Sequence, residues 1–273
     1  MGDLQRILSV LGEVRHRLIR ILIVLGPIFG FLLTFRLVPF TFHFFGLPIP
    51  FAYPVFDLFN NVTAQVFHVL VAWTLPTGIV LLNVGVADSV VVQLEIALLL
   101  TIIVGMPWIV HEMGAFLVPA LRRNERELVR RIGIPATALF AIGATVGFVF
   151  LTPVTFAFLF RYVSAMGMSM AVGGQDFVTF ALLYSLAFGV VFELPVFIYT
   201  LTRLGVVQAG TWRKHWRIAV VGSLVFGMVV TPDNSGITML LIAGPMIALY
   251  FSGAYFAGRW EHQRTARPVA MAG

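Results

Sequence analysis

The acidic residues of this sequence that could do chemistry sit in two kinds of surroundings. Glu193 stands in Phe192-Glu193-Leu194-Pro195, inside an apolar run and ten residues before Arg203. At helical rise it lies about 15 Å up a membrane-crossing segment. A carboxylate there costs about 2.5 to 3.5 kcal/mol on insertion scales, so it has to be protonated, paired or facing a wet cavity. A neutral carboxyl bonded to a neighbouring helix would meet that need without any function, but a functional polar site is the preferred reading. Glu13 and Glu125 lie instead among arginines, Glu13 beside Arg15 and Arg17, Glu125 between Arg122-Arg123 and Arg126. From composition alone, both are local charge balance worth about 0 to 1 kcal/mol per exposed pair.

Other chemistries lack a needed part. Glu95 and Glu112 bracket one apolar span, about 26 Å apart at helical rise, and read as structural carboxylates near the interfaces. His111-Glu112 begins like a zinc-protease helix, but the position of the second histidine is Ala115, so no metal site is expected. The single lysine, Lys214, has no glycine-rich phosphate loop around it. Ser223 follows Gly222 in an apolar run and reads as small-residue helix packing, since the six histidines look interfacial or extramembrane. With no cysteine, disulfides, thiol catalysis and cysteine-bound metals are excluded. Asn61-Val62-Thr63 matches a glycosylation sequon, a pattern too short to carry weight. No cofactor and no catalytic residue is expected.

The elements that must position these residues are membrane spans. Of 273 residues, 59% are hydrophobic and 11% charged, too little charge to cover a soluble globule. The net charge of +6 does not point to nucleic acid, because the basic residues flank apolar segments instead of clustering on a polar face. The apolar runs predict an all-α integral membrane protein with six spans, at 18–35, 90–108, 132–160, 177–202, 218–230 and 237–257. The fifth is short, so either the bilayer thins there or flanking side chains snorkel, for which Trp212, Arg213, Lys214, Trp216 and Arg217 are the right residues. Residues 1–17 form a cytoplasmic helix. Residues 38–89 form an extended external segment with a short interfacial helix at 66–75, and 258–273 a cytoplasmic tail. Only Arg36 and Arg161, of 18 lysines and arginines, fall outside, so both termini are placed in the cytoplasm. A single polytopic domain over 1–273 is the simplest organisation.

Four stretches stand out: Glu13-Val14-Arg15-His16-Arg17-Leu18; Met106-Pro107 followed by Gly114-Ala115-Phe116-Leu117-Val118-Pro119-Ala120-Leu121 and Asn124-Glu125; Phe188-Gly189-Val190-Val191-Phe192-Glu193-Leu194-Pro195; and Gly227-Met228-Val229-Val230-Thr231-Pro232-Asp233. Together they resemble the TatC family, the polytopic receptor subunit of the twin-arginine protein translocase, in its archaeal form. They occur in family order, and the similarity runs from about residue 10 to 258. The chain departs from the family in a longer first external segment, between Phe40 and Ala64, and in Ile237-Thr238 where the last outer turn often carries glutamine.

The resemblance implies a six-helix, glove-shaped scaffold in a prokaryotic cell membrane. Its cytoplasmic face would bind the paired arginines of signal peptides on folded precursors, using Glu13 and Glu125, with Phe116, Arg15 and Arg17 beside them. It further implies Glu193 as an intramembrane contact for single-span TatA/TatB-type subunits, Asp233 as an outer-turn site, an oligomeric complex among membrane lipids, and drive by the proton gradient. The alternative from the residues alone is a proton-coupled secondary transporter working through Glu193, although no matching halves are visible.

Overall fold

The computed structural model describes residues 2–44, 47–75, 79–117, 123–168, 171–231 and 236–266. Most of them are helical. Helix α1, Gly2–Thr34, is continuous, so the expected cytoplasmic helix and first span are one rod, with Pro27 inside it. Further along run α3 (Asp88–Leu117), α4 (Arg123–Thr145), α5 (Thr152–Ala165), α6 (Gly174–Phe192), α7 (Leu194–Arg203) and α10 (Ile237–Ala266). Among the described residues, five helical stretches are long and apolar enough to cross a membrane: Leu11–Thr34, Asp88–Phe116, Arg126–Ala165, Gly174–Arg203 and Ile237–Gln263. Helix α9, Trp216–Val230, has 15 residues. At 1.5 Å each it covers about 22 Å, short of about 30 Å of hydrocarbon, as its sequence predicts.

Two compact units divide the chain: Met1–Gly105 with Thr152–Leu182, and Met106–Leu151 with Leu183–Gly273. In the first, the external segment holds structure that a helical reading missed. Strands β1 (Phe35–Phe44) and β2 (Leu47–Phe56) form an antiparallel hairpin, and α2 (Val62–Thr74) follows. Asn61 caps α2, its side-chain oxygen accepting from the Ala64 N–H, so the helix starts earlier than the apolar run suggests. Leu32, Val62 and Ala97 form a buried cluster that joins α1, α2 and α3, with Leu37 and Val66 packed on it. A second small pairing, β3 (Val80–Leu82) parallel to β4 (Ala171–Gly173), closes this unit. Period-2 alternation is hidden in the hairpin because its strands are apolar at nearly every position, so the pattern test returns nothing.

In the second unit, close backbone approach replaces bulky packing. Between α4 and α5 the chain makes a π turn at Val146–Leu151. Pro153 follows, and its ring would strike the carbonyl four residues back in a regular helix, which the wider turn relieves. Within this turn a Cβ on Gly147 would stand 2.6 Å from the Tyr184 carbonyl oxygen of α6. Ser185 donates to the Ala144 carbonyl at 2.8 Å, tying the same two elements. Helix α10 packs on α7 and α9, with Gly253 against the Pro195 backbone.

One expectation is corrected here. Trp212 does not snorkel beside the short span. It belongs to a separate helix, α8 (Ala209–Lys214), where it donates to the Thr202 hydroxyl at 3.0 Å and packs edge-on against Tyr250. A half-buried indole with its N–H satisfied gains more from packing than from reaching the interface.

Candidate functional site

On α1, Glu13 and Arg17 are one turn apart, so helical spacing alone brings them together. Arg17 donates through Nε (3.2 Å) and Nη2 (2.7 Å), both to the same carboxylate oxygen, Oε1. Among the described residues Oε2 receives no hydrogen bond. The Glu13 side chain is 41% exposed and that of Arg17 18%. A part-exposed carboxylate is therefore steadied by a packed guanidinium. Arg15, two positions along, points to a different face and is exposed.

The second acidic position is built by the ends of α3 and α4. Phe116 lies half-buried in the last turn of α3, and Glu125 belongs to the first turn of α4, where a helix N-terminus favours negative charge. The Glu125 side chain, residues 118–122 and Asp233 lie outside the described residues. Glu112, one turn before Phe116, is 3% exposed and engaged, so it is not the ordinary interfacial carboxylate its position suggested. A groove of about 850 Å³ runs between the two helices, lined by Pro107, Gly114 and Ala115 on one side and Gly133, Ala138 and Ala141 on the other. His111 stands at this groove, exposed and stacked on Trp108 at 5.5 Å. Near the start of α4, Arg131 and Glu127 form an exposed pair at 2.6 Å, a local balance of charge and nothing more.

Glu193 occupies the one-residue break between α6 and α7. Pro195 sits in the first turn of α7 and cannot donate to the carbonyl four residues back, and the Glu193 N–H turns to Val190 at 3.1 Å. The Leu194-Pro195 pair was the signal for this break. One carboxyl oxygen, Oε1, is buried and has no hydrogen-bond partner among the described residues. An unpaired buried polar atom costs about 1 to 3 kcal/mol. Replacing Glu193 with Leu should therefore stabilise the isolated chain by an amount of that order, read as a raised midpoint in thermal unfolding in detergent. A lowered midpoint would show that the carboxyl is bonded.

Glu95 is also better placed than expected: the Thr179 hydroxyl donates to it, lying 2.8 and 3.0 Å from its two oxygens, a pairing between α3 and α6 that sequence distance concealed. The structure thus brings Glu13 to Arg17 and Glu95 to Thr179. It also sets Phe116 and Glu125 on the two helix ends that flank residues 118–122. Sequence reasoning missed Asn61, Gln65 and Gln93, buried or half-buried amides that bind the first unit together. Nothing in local composition marks them.

Residues 9–245 match the family described as "Sec-independent protein translocase protein (TatC)". A Sec-independent protein translocase protein TatC from Cenarchaeum symbiosum is 37% identical over 93% of this chain and 94% of its own length. The TatC of Escherichia coli K12 is 27% identical over 93% of this chain and 89% of its own. Among solved structures, a crystal structure of the twin-arginine translocase receptor TatC superposes with a TM-score of 0.71, covering 91% of this chain and 98% of that one at 22% identity. The last likeness concerns the fold, and the first three concern descent. By the match over residues 9–245 and the 37% identity to the Cenarchaeum symbiosum protein, the chain belongs to the TatC family of protein translocase components.

Proposed function

We propose that the chain is the receptor and core subunit of a twin-arginine protein export complex, acting as one polytopic domain with six spans and both termini in the cytoplasm. Glu13 and Glu125, with Phe116, Arg15 and Arg17, bind the paired arginines of a signal peptide on a folded precursor. Glu193 receives a polar side chain from a single-span TatA/TatB-type subunit, Asp233 serves on the outer turn, and the proton gradient drives transport across the cell membrane of a prokaryote.

The observation that carries this reading is the Glu13 carboxylate, part-exposed and held by Arg17 through one oxygen. A guanidinium presents a planar fork of donors that a carboxylate can accept, which a lysine ammonium cannot match. The net positive charge works against long-range steering, so recognition has to act at contact, inside a screening distance of about 8 Å. The test places photocrosslinkers at 13 and at 125 in the assembled membrane complex and adds a precursor with paired arginines. Adducts from both positions to the same signal peptide are expected, displaced by excess twin-arginine peptide and not by twin-lysine peptide. Adducts from one position alone would refute a shared site.

A further inference from the structure

The hairpin at 35–56 follows directly on α1, and its two faces carry different residues. Its register runs from Phe35 opposite Phe56 to Phe44 opposite Leu47 without a slip. Antiparallel pairs alternate between those that exchange both backbone hydrogen bonds and those that exchange none. Leu37 donates its N–H to the Gln65 side-chain oxygen at 3.2 Å and accepts from the Gln65 amide at 2.9 Å, so its backbone points away from β2. Leu37 opposite Pro54 is therefore a non-bonded pair. Pro39, Pro50 and Pro48, opposite Ala52, Thr41 and His43, fall in the same alternate class. No proline removes a ladder bond, and three of them strip the outer edge of β2 of donors, which blocks the addition of another strand.

The alternate pairs share a face. Leu37 turns its face toward α2 and the core cluster. The opposite face carries Val38 with Tyr53 and Phe40 with Phe51. Phe40 is 53% exposed, Phe51 60% and Tyr53 51%. The described part of this face, residues 36–40 and 51–55, spans about 17 Å. At the base of this face Arg36 stands opposite Val55, whereas Phe35 and Phe56 belong to the Leu37 face, where Phe31 of α1 stacks on Phe35 at 4.9 Å and Phe35 meets Phe56 edge-on at 6.1 Å. Along α1 itself Leu22 and Ile23 are both 66% exposed, apolar side chains suited to lipid. Residues 35–56 contain no acid, and Arg36 is exposed at the base. Asp57, which follows, turns its charge on the backbone N–H groups of Asn60 and Phe59 at 2.9 and 3.0 Å, which hold its carboxyl below the usual range.

We propose that this hairpin is an interfacial anchor whose aromatic face, Val38, Phe40, Phe51 and Tyr53, lies in the bilayer leaflet at the C-terminal end of α1, with Arg36 among anionic headgroups. Aromatic rings suit the interface, a cation there suits anionic lipid, and the proline edge argues against a partner strand. The anchor is independent of how the charged face binds peptides.

The chain has no cysteine, so single sites can be labelled cleanly. Tyr53→Cys and Phe40→Cys report the aromatic face, and Ala52→Cys the opposite one. Each full-length variant carries an environment-sensitive fluorophore in nanodiscs of phosphatidylcholine and phosphatidylglycerol, one copy per disc. Labels at 40 and 53 are expected to be quenched severalfold more by nitroxide on lipid chains than by aqueous iodide, and the label at 52 the reverse. Replacing phosphatidylglycerol by phosphatidylcholine alone should bring the labels at 40 and 53 closer to water. Two outcomes would overturn the anchor: equal access of iodide to 52 and 53, or protection of 53 only when two copies share a disc or a partner subunit is added.

Discussion

Changing Glu13 to Gln is expected to weaken binding of a twin-arginine peptide by about 2 kcal/mol or more, roughly 30-fold, and Glu125 to Gln by a similar amount. The substitution keeps the side-chain shape and removes the charge that a guanidinium needs. Because Arg17 already uses Oε1, an incoming arginine either takes Oε2 or displaces Arg17. Glu127 to Gln is the control: it removes an acid of the same helix turn that only faces Arg131. Affinities are read by titrating labelled peptide onto the purified protein in nanodiscs, against a twin-lysine peptide. If Glu13 and Glu125 share one ligand, the double variant should lose less than the sum of the single losses, as coupled sites do. Undiminished binding in both single variants, or equal affinity for the lysine peptide, would remove the chemical basis of the site.

What was legible in the sequence follows from which forces are local. Apolar runs long enough to cross a bilayer are visible in any window, and the runs around 90–108, 132–160, 177–202 and 237–257 all lie within helices of the structure. The short α9 was equally plain, because its apolar run, 218–230, is bounded in the sequence by Arg217 and by Thr231-Pro232. Glu13 with Arg17 needed only helical spacing. Pairings across long sequence distances were not legible. Thr179 meets Glu95 across 84 residues, and Gln65 meets Leu37 across 28. The hairpin was hidden for a different reason. Four prolines argue against a strand until the register shows that all four occupy pairs that need no N–H. Helix α8 was hidden too, because an isolated Trp among basic residues reads as an interfacial anchor until Thr202 and Tyr250 are seen to receive it.

Asn61 yields the largest stability effect expected in the first unit. Its side chain is fully buried. The amide nitrogen donates to the Leu33 carbonyl at 2.8 Å, the Gln93 oxygen at 2.9 Å and the Leu58 carbonyl at 3.1 Å. With two hydrogens and three acceptors, one N–H is shared. The oxygen accepts from the Thr63 hydroxyl at 2.6 Å and the Ala64 N–H at 3.0 Å. One amide thus ties α1, the turn after β2, α2 and α3. A nitrogen so enclosed cannot carry a glycan, whatever the sequon pattern. Asn61 to Ala should cost about 3 to 5 kcal/mol, from the lost cap together with several buried acceptors left unsatisfied. Asn61 to Asp is more discriminating, since the carboxylate would keep the cap but face three acceptor oxygens. Those oxygens and burial should raise its folded pKa above the unfolded value of about 3.9. The variant would then be most stable below that value, where the protonated acid can donate once, and would lose stability as pH rises through the folded pKa. Thermal unfolding in detergent between pH 4 and 8, compared with the parent chain, reads this directly. A flat difference across that range would mean that the donors around Asn61 are not what hold α1, α2 and α3 together.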